Sequence, residues 1–337
     1  MTRNEQNAEA AIAETVALQR VANWMLERYL TTLREAEGEI VAEVAKADVT
    51  DGRTESSRRQ RLDSLLTRLQ ERIVAVFEEL ASRMESDLEE LATIEAERER
   101  RRILAIFGIR MDGKVDGAAI AASAILGITV REMMTKQAGD LSYRLRGRLT
   151  RALDSMEPTG TTMEGLRRGN EKAGEPPIMQ PTRRSVETVT RTAATGAAQA
   201  ATIEAVENST IDRRTIRYGW QHISVLDART SQICWGYAFK TWDAKFEPLA
   251  HGMPYPGSPP LHPHCRSRHI LVLLDEDAVA DQTFREWANK AGDEKLVKLF
   301  GAEKVRLWRD GQLGDNDLIR GKTGSISLEQ LAAMDIQ

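Results

Sequence analysis

Cysteine is nearly absent from this 337-residue chain, which carries two, Cys234 and Cys265. Two thiols cannot supply the framework of a disulfide-stapled secreted domain; they can form one bridge or share a metal. Aromatic residues are scarce as well, at 5% against 29% charged and 41% hydrophobic residues. That balance favours long solvated helices over a large compact sheet. No long apolar run occurs. The richest stretch, Ala118 to Val130, is too short and too full of Ala and Gly to span a bilayer. The N-terminus, MTRNEQNAEAAIAE, lacks the apolar core of a signal peptide. The expectation is a chain made in a cytoplasm and not associated with membrane. Charge of either sign is nearly balanced, at a net −4, so attraction to nucleic acid would need a local basic patch. Neither a GxxxxGK[ST] phosphate loop nor an HExxH motif is present.

What the chain does have is helical periodicity. Ile12, Val16, Val21, Met25, Leu33, Ile40 and Val44 predict an amphipathic helix over 6–46, broken by DVTDGR at 48–53. Leu62, Leu66, Leu69, Ile73, Phe77, Leu80, Met84, Leu88, Leu91 and Ile94 form one stripe within 54–107, which neither Pro nor Gly interrupts. A helix that long needs helix partners for its stripe. The EAERERRR run near its end, 95–102, reads as a solvated face, with a contact to DNA or to a partner protein as the sharper alternative. A turn at 111–117 and a short Ala-rich helix follow. Thr129 and Glu132 then form a capping box at the head of a third long helix, where each side chain can satisfy a free backbone N–H. That helix carries Arg144, Arg146, Arg148 and Arg151, an ordinary charged face or, less simply, a phosphate-facing one. Residues 158–181 are rich in Gly and Pro and predict a linker, since Pro lacks an N–H and clashes with the preceding turn. A helix rich in Ala and Thr over 182–208 precedes two predicted strands, at 216–226 and 269–274, with more than 40 irregular residues between them. The expected fold is mostly α with a small α+β module. Its parts are long helices over 1–157, a linker over 158–181, an α+β module over 182–275 and a short-helix tail over 276–337.

All five histidines and both cysteines fall within 222–269, together with most of the prolines. His262-x-x-Cys265 can place two ligands on one metal, and pairing of the strands would bring Cys234 as a third. Asp227, His251 or His264 could be the fourth. Thiolate with imidazole is the donor mixture of tetrahedral zinc, and such a cross-link would offset the ordering entropy of a long loop. One half-knuckle leaves two alternatives open: packed, hydrogen-bonded residues without metal, or a Cys234–Cys265 disulfide. A catalytic assignment lacks a third group ordering a Cys/His pair and lacks an evident general base, so no catalytic residue is expected.

The order of motifs resembles the phage Mu F-protein-like minor head proteins, the phage head morphogenesis family. The likeness rests on Thr190-Arg191-Thr192, then Asp227, Arg229, Thr230 and Cys234, then Pro259, Pro260, His262, Cys265 and Arg266, and covers roughly 182–275. The tail segments TFREW, LFGAEKVRLWRDGQL and SISLEQL are also similar. The chain departs from the family at Ser267, where relatives often carry another Cys, leaving one thiolate fewer. The resemblance implies a virion protein of a tailed-phage head, assembled in the host cytoplasm and retained in the capsid interior or at the portal vertex. Its partners would be the portal or major capsid protein, packaged DNA, or other copies of itself. It further implies a structural polar motif of Asp227, Arg229, Thr230 and Arg266, in which Arg229 or Arg266 pairs with Asp227. Zinc on Cys234, His262, Cys265 and Asp227 would hold the loop closed. An internal or co-ejected DNA-binding protein and, more remotely, a metal-dependent hydrolase are the alternatives.

Overall fold

The computed structural model describes residues 1–47, 54–123, 125–212, 215–225, 230–276, 284–314 and 327–334; the expected break at 48–53 lies outside them. The chain is mostly α, with a small sheet in its C-terminal half. Two very long helices come first, α1 (Arg3–Ala47) and α2 (Glu55–Phe107). They are followed by α3 (Gly117–Ala122), α4 (Val130–Asp154), α5 (Thr159–Arg168) and α6 (Gln180–Glu207). The sheet comprises β1 (Tyr218–Ile223), β2 (Thr241–Asp243), β3 (Pro248–Leu249) and β4 (Arg268–Leu273), with α7 (Gln232–Tyr237) between β1 and β2. Helices α8 (Phe284–Phe300), α9 (Ala302–Arg309) and α10 (Leu328–Ala332) end the described chain. Among the described residues, no helix is long and apolar enough to cross a membrane.

The chain divides into two compact units that cut across the expected boundaries. One gathers Met1–Met25, Ser86–Gly127 and Arg191–Gln337, and the other Leu26–Glu85 and Ile128–Thr190. Helices α1, α2 and α6 therefore each contribute a stretch to both. A break between cores need not be a break in a helix, so punctuation by Gly and Pro does not reveal it. The predicted linker over 158–181 is structured and belongs to the second unit. It forms α5 and a 3-10 turn at Glu171–Ala173, and its Ile178 N–H donates to Leu166 O at 2.9 Å. Ile178 and Met179 are buried.

In the second unit the predicted stripes are the core. Leu33, Ile40 and Val44 of α1, Leu66, Leu69, Ile73, Phe77 and Leu80 of α2, and Met134, Leu141, Leu145 and Leu149 of α4 are all buried. The capping box forms as expected: Thr129 Oγ1 accepts from Glu132 N at 3.2 Å, and Glu132 accepts from Thr129 N at 2.8 Å. Of the arginines considered for phosphate contact, Arg148 and Arg151 both meet Glu175, and Arg144 donates to Thr182 at 2.6 Å.

In the first unit the sheet runs β3-β2-β1-β4, all antiparallel, with His222 opposite His269 across β1 and β4. Both faces are covered. On one, Ile223, Val225, Ile270 and Val272 pack with Ile12 and Val16 of α1 and with Leu296, Phe300, Val305 and Trp308. On the other, Tyr218, Trp220 and Leu271 pack with Ile103 and Phe107 of α2 and Val206 of α6. This is why β1 is buried at every position, although its sequence alternates. The outer edge of β4 would leave backbone groups unpaired. Amide side chains fill it: Gln199 exchanges hydrogen bonds with both backbone groups of His269, Asn4 does the same with Leu273, and Asn7 donates to Leu271 O.

Candidate metal centre

Helix α6 carries a polar stripe at Thr192, Thr195, Gln199 and Thr202, spaced by three and four residues within an otherwise Ala-rich sequence. That spacing puts all four on one face, and the segment 264–269 lies along it. Thr192 Oγ1 accepts from His264 N at 3.1 Å, Thr195 Oγ1 donates to Cys265 O at 3.1 Å, and Arg268 donates to Thr202 Oγ1 at 3.1 Å. Gly196 lies between them; a Cβ there would stand 3.3 Å from Pro260, so its absence lets the Pro259–Pro260 segment seat against the helix. The stripe was missed from sequence, where the threonines passed as spacers among small residues. Their heptad-like recurrence was the available signal.

Held this way, the His262–Cys265 turn closes with Cys265 N donating to His262 O at 3.1 Å. Both side chains then meet Cys234, which sits in the first turn of α7. Ser231 caps that helix, accepting from Cys234 N at 3.2 Å. Cys234 Sγ lies 3.2 Å from His262 Nε2 and 3.7 Å from Cys265 Sγ. The three ligand atoms all fall within 4.8 Å of one another, with both cysteines buried and His262 half-buried. A disulfide needs its sulfurs about 2.05 Å apart, and both cysteines are free thiols here. Tetrahedral zinc with Zn–S bonds of about 2.3 Å places two thiolates about 3.8 Å apart, and a thiolate and an imidazole nitrogen about 3.5 Å apart. The observed separations lie within a few tenths of an ångström of those values, so this Cys–His–Cys cluster can hold a metal ion.

The imidazole is also set up for ligation. His262 Nδ1 donates to Pro263 O at 2.8 Å, which leaves Nε2 unprotonated and facing the sulfurs. Fixing the tautomer through the far nitrogen is what metal-binding histidines ordinarily require. Ser231 Oγ lies 2.8 Å from the same Nε2 and donates to it. The two sulfur groups are joined by a hydrogen bond. Cys265 is drawn down to about 5, first by the hydrogen bond from Cys234 and further by backbone hydrogen bonds from Leu261 and Ser267, against the opposing effect of burial. Cys234, the donor, is pushed up by that bond and by burial. A bound cation would displace the proton of that bond and hold both groups as thiolates.

The other predicted site residues distribute unevenly. Asp227 and Arg229 lie outside the described residues. Thr230 donates to Val225 O. Arg266 is half-buried and, with Val225, Thr230, Ser231, His264 and Ser267, lines a small pocket that Cys234 and His262 also reach. Ser267 is buried, hydrogen-bonded to Ser224 at 2.8 Å and to Cys234. His251 is not a ligand: its Nε2 bonds Thr241 O at 2.8 Å, its Nδ1 accepts from Met253 N at 3.2 Å, and its ring stands edge-on to Trp242. His264 is exposed, with a left-handed backbone (φ 58°), and falls outside the ligand cluster.

His222 and His269 form a separate buried group. Their rings are 5.0 Å apart, among Tyr237, Trp242 and Tyr255, and Tyr255 OH bonds His269 Nδ1 at 3.0 Å. Neither nitrogen of His222 has a hydrogen-bond partner among the described residues. Burial drives His222 down to about 3, and burial with the neighbouring His222 drives His269 well below its ordinary value.

Six charged side chains of the same unit form one buried network, and the solvated-face reading of 95–102 is corrected by it. Glu95, Arg98, Glu99 and Arg102 recur at i, i+3, i+4 and i+7, the inward face of α2, while Glu97, Arg100 and Arg101 point outward or lie near the surface. Arg102 pairs with Glu14 and Glu99, and Arg268 pairs with Glu14 at 3.3 Å and Glu95 at 3.1 Å. Arg98 pairs with Glu95 at 3.5 Å and donates to Leu331 O at 2.8 Å. Three cations and three anions thus join α1, α2, β4 and α10. Arg268 also opens β4 directly after the ligand turn, so the network and the Cys–His–Cys cluster share one strand.

Compared with known proteins, the chain matches no family model, no curated protein and no solved structure.

Proposed function

We propose that this chain is a minor structural protein of a tailed-phage head, acting in capsid assembly at the portal or inner shell, and that Cys234, His262 and Cys265 bind zinc as a staple of its sheet-containing unit. The observation that supports this most is spatial. Thr192, Cys234, Pro260, His262 and Cys265, five of the twelve residues on which the resemblance to the head morphogenesis family rests, come from three separate stretches and gather around one cluster. A motif set that is ordered in sequence and also co-located in space has a shared structural job. Here that job is to tie α6, α7 and the start of β4 together. Zinc fits the donor set better than a harder cation, because thiolates select soft or borderline ions.

The DNA-binding reading is the weaker one. Glu175 pairs with both Arg148 and Arg151 and so offsets part of their charge, Arg144 is turned to Thr182, and of the four only Arg146 is exposed without such a partner among the described residues.

Two experiments test the two parts. Cross-linking with mass spectrometry on assembled particles should place the chain, in few copies, against portal or capsid subunits; particles that lack it would overturn the assembly reading. Elemental analysis of purified protein should find about one zinc per chain, lost in Cys265→Ser. Metal-free wild-type protein that stays so after incubation with zinc would remove the staple. Because a structural zinc contributes on the order of 10 kcal/mol to its fold, chelation should also lower the thermal midpoint.

A further inference from the structure

We propose that a second copy of this chain docks in the groove between α2 and α4, the two copies pairing about a two-fold axis. The inference stands apart from the metal reading. Arg131, near the start of α4, reaches Glu85 and Ser82 of α2, so the two helices run antiparallel along the groove. One bank spans Leu66 to Ala81 and the other Arg131 to Arg146, about four turns or 22 Å. The groove encloses about 360 Å³ over a floor that includes Leu69, Ile73 and Phe77. The hydroxyls of Thr135 and Ser142 donate to Arg131 O and Ala138 O, each at 2.9 Å, so they need no outside partner. Val74 and Tyr143 stand exposed on the banks, Tyr143 at 80%.

Charge and shape together favour the chain itself as the occupant. Gly139 lies at the midpoint of the α4 bank and Val74 at that of the α2 bank. A Cβ on Gly139 would meet nothing within 4 Å, so the space over it is open and another backbone can come close. A two-fold axis crossing the groove there exchanges its ends, giving an isologous interface. Tyr143 lies one turn beyond Gly139 and Thr135 one turn before it. The axis therefore sets each copy's exposed ring over the other's Thr135 and into the groove. The same operation carries Arg146 from its own end to the end that holds Glu78. Both are exposed, and neither has an ion-pair partner among the described residues. Within one copy they stand roughly 15 Å apart along the groove; between copies they meet across it, twice. Arg131, the other cation at the Glu78 end, is already held by Glu85. A buried aromatic centre bounded by charge pairs is how the core and rim of an interface are ordinarily divided.

The test is sedimentation equilibrium of the full chain. Wild type should pass from monomer to dimer as its concentration rises to about 100 μM, the range in which a modest interface associates. Glu78→Arg and Arg146→Glu should each raise the dissociation constant about tenfold, since like charges then face each other at both ends. The double variant restores both pairs in reverse and should bring the constant back close to that of wild type. Gly139→Leu should abolish the dimer by setting a side chain on the axis. It raises helix propensity at an exposed position, so an unchanged helical circular dichroism signal separates this loss from unfolding. A wild type that stays monomeric over that range overturns the proposal and leaves the groove to an occupant of another kind. So does a dimer that the single reversals leave intact, or one that the double variant fails to restore.

Discussion

Replacing Arg102 with Met should cost about 3–5 kcal/mol of unfolding free energy at pH 8, the usual penalty for removing one partner from a buried ion pair. Arg102 is fully buried and lies against both Glu14 and Glu99. Without it the six-residue network holds three carboxylates and two guanidiniums in a place water does not reach. Burial pushes Glu14 up, but Arg102, Arg268 and Arg98 together overcome that and hold it low. For Glu99 burial prevails, and its carboxyl is raised despite Arg102. In the variant both carboxyls should rise, so each binds a proton more readily folded than unfolded. The sign follows: the deficit should shrink as pH falls towards 5, as the orphaned carboxyls neutralise. All six tryptophans belong to the unit that holds the network, so tryptophan fluorescence in a urea titration reports it directly. A loss under about 1 kcal/mol at pH 8 would show the network to be dispensable. Glu99→Gln is the milder companion. It should cost less than Arg102→Met, and a double-mutant cycle between them should show coupling, since the two side chains touch.

This network also shows where sequence reasoning stops. The stripe of α2 was legible because apolar residues at helical spacing have one common explanation, burial. The same stripe continues past Leu88 and Leu91 as Glu95, Arg98 and Arg102, with the spacing kept and the chemistry reversed. Periodicity pointed inward, composition pointed outward, and composition was followed. What decides the matter is Glu14 and Arg268, 81 residues before Glu95 and 166 after Arg102, and nothing local announces them. The ligand set was more accessible. Cys234, His262 and Cys265 were identifiable because thiols and imidazoles are rare in this chain. The choice among His251, His264 and the rest depended on which rings the sheet absorbs, a tertiary fact. The division into two units was illegible for a similar reason: α1, α2 and α6 continue through it, so no turn residue marks the change of core. Asn4 and Asn7 gave no signal either. An asparagine that completes a sheet edge looks, in sequence, like any polar residue in a first helical turn.

Acidification should weaken the sheet-containing unit well before ordinary carboxylates titrate. His222 and His269 are neutral in the fold, and a histidine free in an unfolded chain titrates near 6.5. Between that value and about 3 for His222, the unfolded chain binds a proton that the folded chain refuses. Stability from this source is therefore complete above about pH 6.5 and is lost as pH falls, at about 1.4 kcal/mol per pH unit for each histidine. The two do not add in full, because they stand 5.0 Å apart and one imidazolium opposes the other. The tyrosine ring beside His269 brings no charge, since Tyr255, raised to about 12 by burial, stays neutral, and the carboxylate felt there, that of Glu207, acts on Tyr255. Urea titrations at pH 7, 6 and 5 should show falling stability, and His222→Phe should remove about half the slope while remaining folded, since that ring makes no hydrogen bond among the described residues to lose. Comparing slopes between wild type and variant also cancels any contribution from metal release at the cluster, which both proteins share. Equal slopes in the two would mean that the pair is not what titrates. A flat wild-type profile from pH 7 to 5 would mean that burial holds these imidazoles less tightly than their packing implies.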